Sequence, residues 1–235
     1  AWTLCVEVTF YAAIPAIAWV FRRVLPVGDR RTTVRWELLG LAAVYLCSVA
    51  WKIGVDRLMG PTDPGYFPAS ISLPAQLDTF ALGMAMAVVA ASLAQGAPVP
   101  WFVRVVTDRP WVPILLAIGL FLVLGQRFWG FGENWADHEQ LRHQLKAWIG
   151  VLVLAPAVFG AAEGGFVRRA MGWRPVLWLG LVSYSFYLYH LAAILALKDV
   201  GPLADLGWVA VAVAALMVST LVAWISYRLV EVRGI

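Results

Sequence analysis

Long apolar stretches recur along this chain, and they constrain its fold more than any other feature. A helix needs about 20 mostly apolar residues to cross the hydrocarbon core of a bilayer. The sequence therefore predicts an all-α, polytopic transmembrane helix bundle that forms a single domain over residues 1–235. Seven stretches approach the required length: Trp2 to Phe21, Glu37 to Val55, Leu73 to Leu93, Trp111 to Phe128, Leu145 to Ala162, Val176 to Leu197 and Leu206 to Tyr227.

The composition agrees with a membrane protein. Hydrophobic residues make up 62% of the chain and charged residues 14%, whereas soluble domains average roughly 45–50% and about 25%. The net charge of +4 does not indicate a nucleic-acid partner, because the basic residues form short clusters between apolar stretches, as lipid orientation signals do. The predicted surroundings are a lipid bilayer, with no nucleic acid.

Lys and Arg are concentrated in alternate loops, and the richer side is normally cytoplasmic. This places the protein in the cell membrane with the first residue of the chain outside and the C-terminus in the cytoplasm. An outside start also predicts that an odd number of helices precedes residue 1. The richer loops hold twelve basic residues, Arg22, Arg23, Arg30, Arg31, Arg35, Arg104, Arg109, Arg168, Arg169, Arg174, Arg228 and Arg233, and the others six, Lys52, Arg57, Arg127, Arg142, Lys146 and Lys198.

Two long connections, residues 56–72 and 130–144, then lie outside. The simplest interpretation is solvated loop, although the second connection is rich in groups that could bind a polar acceptor. His138 and His143 are five residues apart, which fits poorly with the four-residue spacing of a helical zinc pair, so no metal site is predicted. The polar residues of the second connection are Glu133, Asp137, His138, Glu139 and His143.

Glu7 and His190 are ionisable groups inside predicted spans, where retaining a charge is costly and suggests a role facing the bundle interior. Both fall in the outer half of the membrane at similar depth, which predicts that they line one cavity. A carboxylate and a neutral imidazole there could orient a hydroxyl and accept its proton. The alternative is that each only hydrogen-bonds a neighbouring helix. Polar residues share their helix faces: Thr3 and Tyr11 with Glu7, and Ser183 and Tyr187 with His190.

Four segments, in this order, resemble motifs of the acyltransferase family 3 integral membrane proteins. Residues 2–11 (WTLCVEVTFY) are similar to W-[ST]-L-x-x-E-x-x-F-Y, and residues 77–84 (LDTFALGM) to the R-x-x-x-F-x-L-G type segment. Residues 179–190 (LGLVSYSFYLYH) are similar to L-G-x-x-S-Y-S-x-Y-L-x-H, with Tyr189 where Trp is common. Residues 226–231 (SYRLVE) resemble the closing S-Y-x-x-x-E-x-P, with Arg233 in place of Pro.

The resemblance implies an enzyme that transfers an acyl group, often acetyl, from acyl-CoA to a hydroxyl of a carbohydrate, glycolipid or glycosylated natural product. Acyl-CoA is a co-substrate, and no bound cofactor is implied. The family's catalytic His lies on an early helix that this sequence lacks, so the chain alone is expected to be inactive. Carried over by motif position, the catalytic residues are Glu7 and His190, and the substrate-binding residues are Trp2, Tyr11, Ser183 and Tyr187.

Other functions remain open at this point. A transporter of an amphipathic molecule would also bury polar groups inside spans, with helices interrupted near the membrane midplane. A non-catalytic membrane scaffold is a third possibility. The basic residues Arg22, Arg23, Arg30 and Arg31 could attract the phosphates of CoA, although their simpler interpretation is orientation in the membrane.

Overall fold

The computed structural model describes residues 2–26, 28–60, 62–125, 135–160, 166–200, 205 and 207–231, and these residues contain helices and turns but no strand. The all-α fold class is confirmed. The helices are α1 (Trp2–Val24), α2 (Arg30–Leu58), α3 (Tyr66–Ser70), α4 (Leu73–Ala94), α5 (Trp101–Asp108), α6 (Trp111–Gly125), α7 (Trp135–Phe159), α8 (Phe166–Met171), α9 (Arg174–Leu197) and α10 (Trp208–Ser226), with a π-helical turn at Tyr227–Glu231.

Several of these helices are long and apolar enough to cross a membrane. Within the described part of the chain five qualify, or six if α5 and α6, which meet at an angle of 95°, form one bent span. The five correspond to the first, second, third, sixth and seventh stretches predicted from the sequence. Their bounds are Leu4–Val24, Arg30–Leu58, Tyr66–Ala94, Arg174–Leu197 and Trp208–Leu229.

The predicted count of seven spans is not confirmed, and the difference lies in the middle pair of stretches. Helix α6 has 15 residues, about 22 Å at 1.5 Å per residue, which is shorter than a hydrocarbon core of about 30 Å. Pro110 separates it from α5, and a proline disfavours helical backbone in the preceding residue. Helix α7 has 25 residues but its first half is polar, and it does not qualify as a span by composition.

Two helices begin earlier than the hydropathy pattern predicts. Helix α7 begins at Trp135, so the loop interpretation of the connection is wrong for residues 135–144. The side chains of Gln140 and Gln144, in the first half of this helix, are hydrogen-bonded to other helices. A hydropathy profile scores both residues as polar and does not detect these contacts. Helix α2 begins at Arg30, where Asp29 accepts a hydrogen bond from the Thr32 backbone N–H at 3.3 Å as an N-cap. Glu133 and the side chains of Asp137, His138 and Glu139 lie outside the described residues.

The chain divides into two compact units, unit 1 (Ala1–Val167) and unit 2 (Arg168–Ile235). In unit 1, α2 packs along α4, and α7 packs against α6 and α4. In unit 2, α9 packs along α10, with Ser185 donating a hydrogen bond to Ser226 at 3.2 Å. The single functional domain predicted over residues 1–235 stays a prediction.

Contacts at both ends of α2 fix its direction relative to α4. Near the end of α2, Lys52 contacts Asp78 at the start of α4. At the opposite end, Arg30 donates a hydrogen bond to the carbonyl of Ser92, late in α4, at 2.8 Å. The two helices are therefore antiparallel, and unit 1 has two chemically different ends, named here the Lys52 end and the Arg30 end.

Helix α1 runs parallel to α4. Its Phe10 stacks on Phe80 of α4 with ring centroids 3.7 Å apart, close to the Lys52 end. Further along α1, Phe21 lies so close to α2 that a Cβ on Gly40 would be 3.0 Å from its ring, which is toward the Arg30 end. The N-terminal half of α1 therefore lies at the Lys52 end.

Candidate functional site

A buried ion pair marks the Lys52 end of unit 1. The side chain of Asp78 has no exposed surface and that of Lys52 is 4% exposed, and the Lys52 Nζ donates to the Asp78 Oδ2. Lys52 lies six residues before the end of α2 and Asp78 five residues after the start of α4, so the antiparallel helices bring both to one depth. In an apolar bundle, two such charges are tolerable because they neutralise each other.

Neighbouring donors satisfy the remaining lone pairs of Asp78. Its Oδ2 accepts a hydrogen bond from Gln144 Nε2 at 2.6 Å, and its Oδ1 accepts one from the Thr79 backbone N–H at 2.8 Å. The Nε2 of His143 lies 3.3 Å from Oδ1. A carboxylate only accepts, so this nitrogen carries a hydrogen, and in the neutral imidazole Nδ1 keeps its lone pair. The His143 side chain is 26% exposed.

Further hydrogen bonds connect this pair to α3 and to the rest of α7. Asp56 accepts from the Tyr66 hydroxyl at 2.9 Å and from Gln140 Nε2 at 2.8 Å, and the Tyr45 hydroxyl donates to Gln144 Oε1. Four helices, α2, α3, α4 and α7, are thereby held together by polar contacts at this end of unit 1. This set is called the Lys52 cluster and consists of Tyr45, Lys52, Asp56, Tyr66, Asp78, Gln140, His143 and Gln144.

Glu7 lies at the same level as the Lys52 cluster. It precedes Phe10 by three residues, about 4.5 Å along the helix, and Asp78 precedes Phe80 by two residues, about 3 Å. Because α1 and α4 are parallel and the two phenylalanine rings stack, the two carboxylates stand at nearly equal depth. Glu7 is half-buried and makes no hydrogen bond or ion pair with the residues described, so its acceptor oxygens are available to a ligand.

The other predicted residues of α1 contribute less to this arrangement. Tyr11 is 65% exposed, while Val6 and Phe10 form the buried face of the helix. Tyr11 follows Glu7 by one turn, so the two are neighbours on α1. The side chain of Trp2 lies outside the described residues.

The late motif lies on α9 in unit 2. The Nδ1 of His190 is 2.6 Å from the carbonyl oxygen of Tyr187, so Nδ1–H donates and the neutral ring keeps its lone pair on Nε2. Ser183 donates its hydroxyl to the Gly180 carbonyl at 2.7 Å. Tyr187 is 41% exposed, and its ring centroid is 5.4 Å from that of His190. The side chains of His190 and Ser183 thus donate hydrogen bonds to backbone carbonyls of their own helix.

The predicted site residues therefore fall into two groups, one on α1 and one on α9, and the single cavity shared by Glu7 and His190 stays a prediction. Sequence reasoning missed Lys52 and Asp78, although a signal was present. Both are ionisable residues inside predicted spans, the criterion that singled out Glu7. They have opposite charge and lie near the facing ends of consecutive stretches, which predicts an ion pair.

No family model matches the chain, and no curated protein or solved structure gives a match.

Proposed function

We propose that this chain belongs to a membrane-bound O-acyltransferase, which moves an acyl group, typically acetyl, from acyl-CoA to a hydroxyl of a carbohydrate, glycolipid or glycosylated natural product. The observation that supports this proposal best is that Glu7 and the Lys52 cluster lie at the same depth in an apolar bundle. The four ordered motif segments add to it. The proposed location is the cell membrane, with the N-terminus of the chain outside and the C-terminus in the cytoplasm.

In this proposal the acceptor binds at the Lys52 end of unit 1. Glu7 accepts a hydrogen bond from the reacting hydroxyl and orients it, and polar side chains such as Gln140 and Tyr66 are of the kind that bind the other hydroxyls of a sugar. The hydroxyl oxygen attacks the thioester carbonyl, the carbon–sulfur bond breaks, and the hydroxyl proton ends on the CoA sulfur. His190, Ser183 and Tyr187 enter the proposal through the motif resemblance alone.

The test is CoA release by the full-length enzyme, normalised to folded protein. Glu7→Gln keeps the shape of the side chain but removes its charge, so we expect a loss on the order of a hundredfold. His190→Gln should lose about tenfold, because the family's base lies elsewhere. Glu37→Gln, at the Arg30 end of α2, is the matched control and should keep normal turnover.

A packing role gives a different result, namely lower abundance with a normal rate per folded molecule, and would remove Glu7 from the proposed site. The 235-residue chain alone should release no CoA from acetyl-CoA with any hydroxyl acceptor. Turnover by that chain would assign the base to a residue present in it, with His143 and His190 as the candidates.

A transporter is the second candidate, and two observations favour it. Intramembrane ion pairs such as Lys52–Asp78 occur along proton and substrate pathways, and the 95° bend between α5 and α6 is the kind of interruption found in carriers. This function predicts that sealed vesicles containing the protein take up a glycolipid or sugar without consuming acyl-CoA. The acyltransferase predicts product formation that requires acyl-CoA.

A further inference from the structure

A groove of about 800 Å³ lies at the Arg30 end of unit 1, between the start of α2, the end of α4 and α5. We propose that it binds one anionic phospholipid, with the phosphate on Arg31 and Arg35 and an acyl chain along the apolar wall. This inference is independent of the proposed acyl transfer. The residues that carry it are Arg31, Arg35, Leu38, Leu39, Val89 and Phe102.

Two guanidinium groups at the groove form no hydrogen bond or ion pair with the described residues. They belong to Arg31 and Arg35, which are exposed and lie one turn apart on the same face of α2. Arg30 is different, because it donates to the carbonyls of Ser92 and Gln95 and so holds the end of α4 against α2. The planar fork of an Arg side chain suits the oxygens of a phosphate.

One carboxylate, that of Asp29, lines the groove, and it offsets only part of this positive charge. Asp29 accepts hydrogen bonds from the hydroxyl and the backbone N–H of Thr32. The Thr32 hydroxyl lowers the pKa of the Asp29 carboxyl below its usual value, so the group stays ionised at neutral pH. The groove therefore has one negative charge and two free guanidinium groups, so its net charge is positive. A phosphodiester, which is negatively charged, requires such a site.

The groove is apolar beyond its basic rim. Leu38 continues the stripe of Arg31 and Arg35 at the next turn of α2, and Leu39 and Phe102 are 47% and 41% exposed. Val89 forms a buried part of the wall. A ligand that matches both parts has a phosphate and a hydrocarbon chain, whereas free phosphate would use only the rim.

A phospholipid matches the polar groups better than CoA does. A phosphatidylglycerol headgroup carries one negative charge, while CoA carries several together with an adenine that needs hydrogen-bond partners. Apart from Arg31 and Arg35, the polar side chains of the groove are already engaged, since Ser92 donates its hydroxyl to the Val89 carbonyl at 2.7 Å, Asp29 is bonded to Thr32 and Arg30 is bonded to the end of α4. Basic clusters at the end of membrane helices also lie where lipid phosphates are concentrated.

The experiment is native mass spectrometry of the detergent-purified chain titrated with phosphatidylglycerol, phosphatidylcholine or CoA. We expect phosphatidylglycerol to be retained about tenfold more than phosphatidylcholine. The double variant Arg31→Gln/Arg35→Gln should lower its affinity on the order of thirtyfold, from the attraction of two basic residues for an anionic lipid. Arg31→Lys/Arg35→Lys keeps the charges and should keep the preference.

The control is Arg22→Gln/Arg23→Gln, which removes the same charge from the last turn of α1, away from the groove lining. It should change phosphatidylglycerol retention less than about threefold. An equal loss in the two double Gln variants would mean diffuse surface attraction and overturn the site. Displacement of phosphatidylglycerol by an equal concentration of CoA would contradict the proposal that the groove binds a lipid. Circular dichroism confirms that each variant is folded.

Discussion

At the scale of single residues, Asp78 and Lys52 show how an apolar environment makes each charge depend on its partner. Removing one member of a buried pair leaves an unpaired charge and typically costs about 3–5 kcal/mol, whereas replacing both with apolar residues is often nearly neutral. We therefore expect Asp78→Asn and Lys52→Met each to destabilise the protein by about that amount. The double variant Lys52→Met/Asp78→Leu should recover most of the loss in thermal unfolding of the detergent-purified protein.

An exposed pair in the same chain provides the control. Lys198 Nζ lies 3.8 Å from Asp199 Oδ2, with side chains 53% and 80% exposed, and such pairs contribute about 0–1 kcal/mol. Lys198→Met should therefore leave the unfolding temperature nearly unchanged. If Lys52→Met were equally harmless, the ion pair would not hold α2 to α4.

The same residues show which part of the site could be predicted from sequence. Glu7 was identifiable because it is a charge in an apolar stretch, and its role in a site stays a prediction. His143 could not be found that way, since it lies in a polar segment and becomes significant only through its contact with Asp78. A contact between residues 65 positions apart has no local signature in the sequence.

At the scale of helices, α9 and α10 pack through small side chains. The buried positions of α10 are Ala215, Ser219 and Ala223, spaced four residues apart, so they form one stripe along the helix. Among transmembrane helices, small residues at an interface let the backbones approach closely. Unit 2 is therefore sensitive to added volume at this contact.

Two adjacent alanines of α9 test this packing. Ala193 is 8% exposed, whereas Ala192 is exposed, so the same substitution has different consequences. Ala193→Leu forces extra atoms into a packed contact and should destabilise unit 2 by about 1–3 kcal/mol, seen as lower folded yield and a lower unfolding temperature. Ala192→Leu should have little effect, and equal effects of the two would show that α9 does not pack on that face.

Helix prediction succeeded where apolar residues face lipid and failed where polar residues are satisfied within the bundle. The five confirmed stretches are apolar on most faces, which is the pattern that hydropathy measures. The first half of helix α7 has polar side chains that bond to Asp56 and Asp78. Because these residues are polar, the sequence pattern predicts a loop there. Pro110 is a local sequence signal for the bend before α6, but the angle of the bend depends on how the helices pack.

At the scale of the whole molecule, the question is how many times the chain crosses the membrane. Helices α6 and α7 pack along each other and are antiparallel, because Thr107, just before α6, donates a hydrogen bond to the carbonyl of Phe159 at the end of α7 at 3.1 Å. Length alone would let the 25 residues of α7 reach about 37 Å, enough for a crossing. Three polar side chains of its first half, Gln140, His143 and Gln144, bond to α2 and α4 and need not meet lipid, and the seven crossings stay a prediction.

Cysteine labelling tests the predicted seven crossings. In a background where Cys5 and Cys47 are replaced by Ala, single cysteines at Pro26, Thr62 and Glu133 are labelled in intact cells with a membrane-impermeant maleimide. Pro26 precedes α2 and Thr62 follows it, so they should label from opposite sides whichever count holds. Seven crossings place Glu133 on the side of Thr62, outside, because α4 returns the chain and the α5–α6 pair crosses again. Labelling of Glu133 from the side of Pro26 would mean that the α5–α6 pair does not cross, which would rule out seven spans.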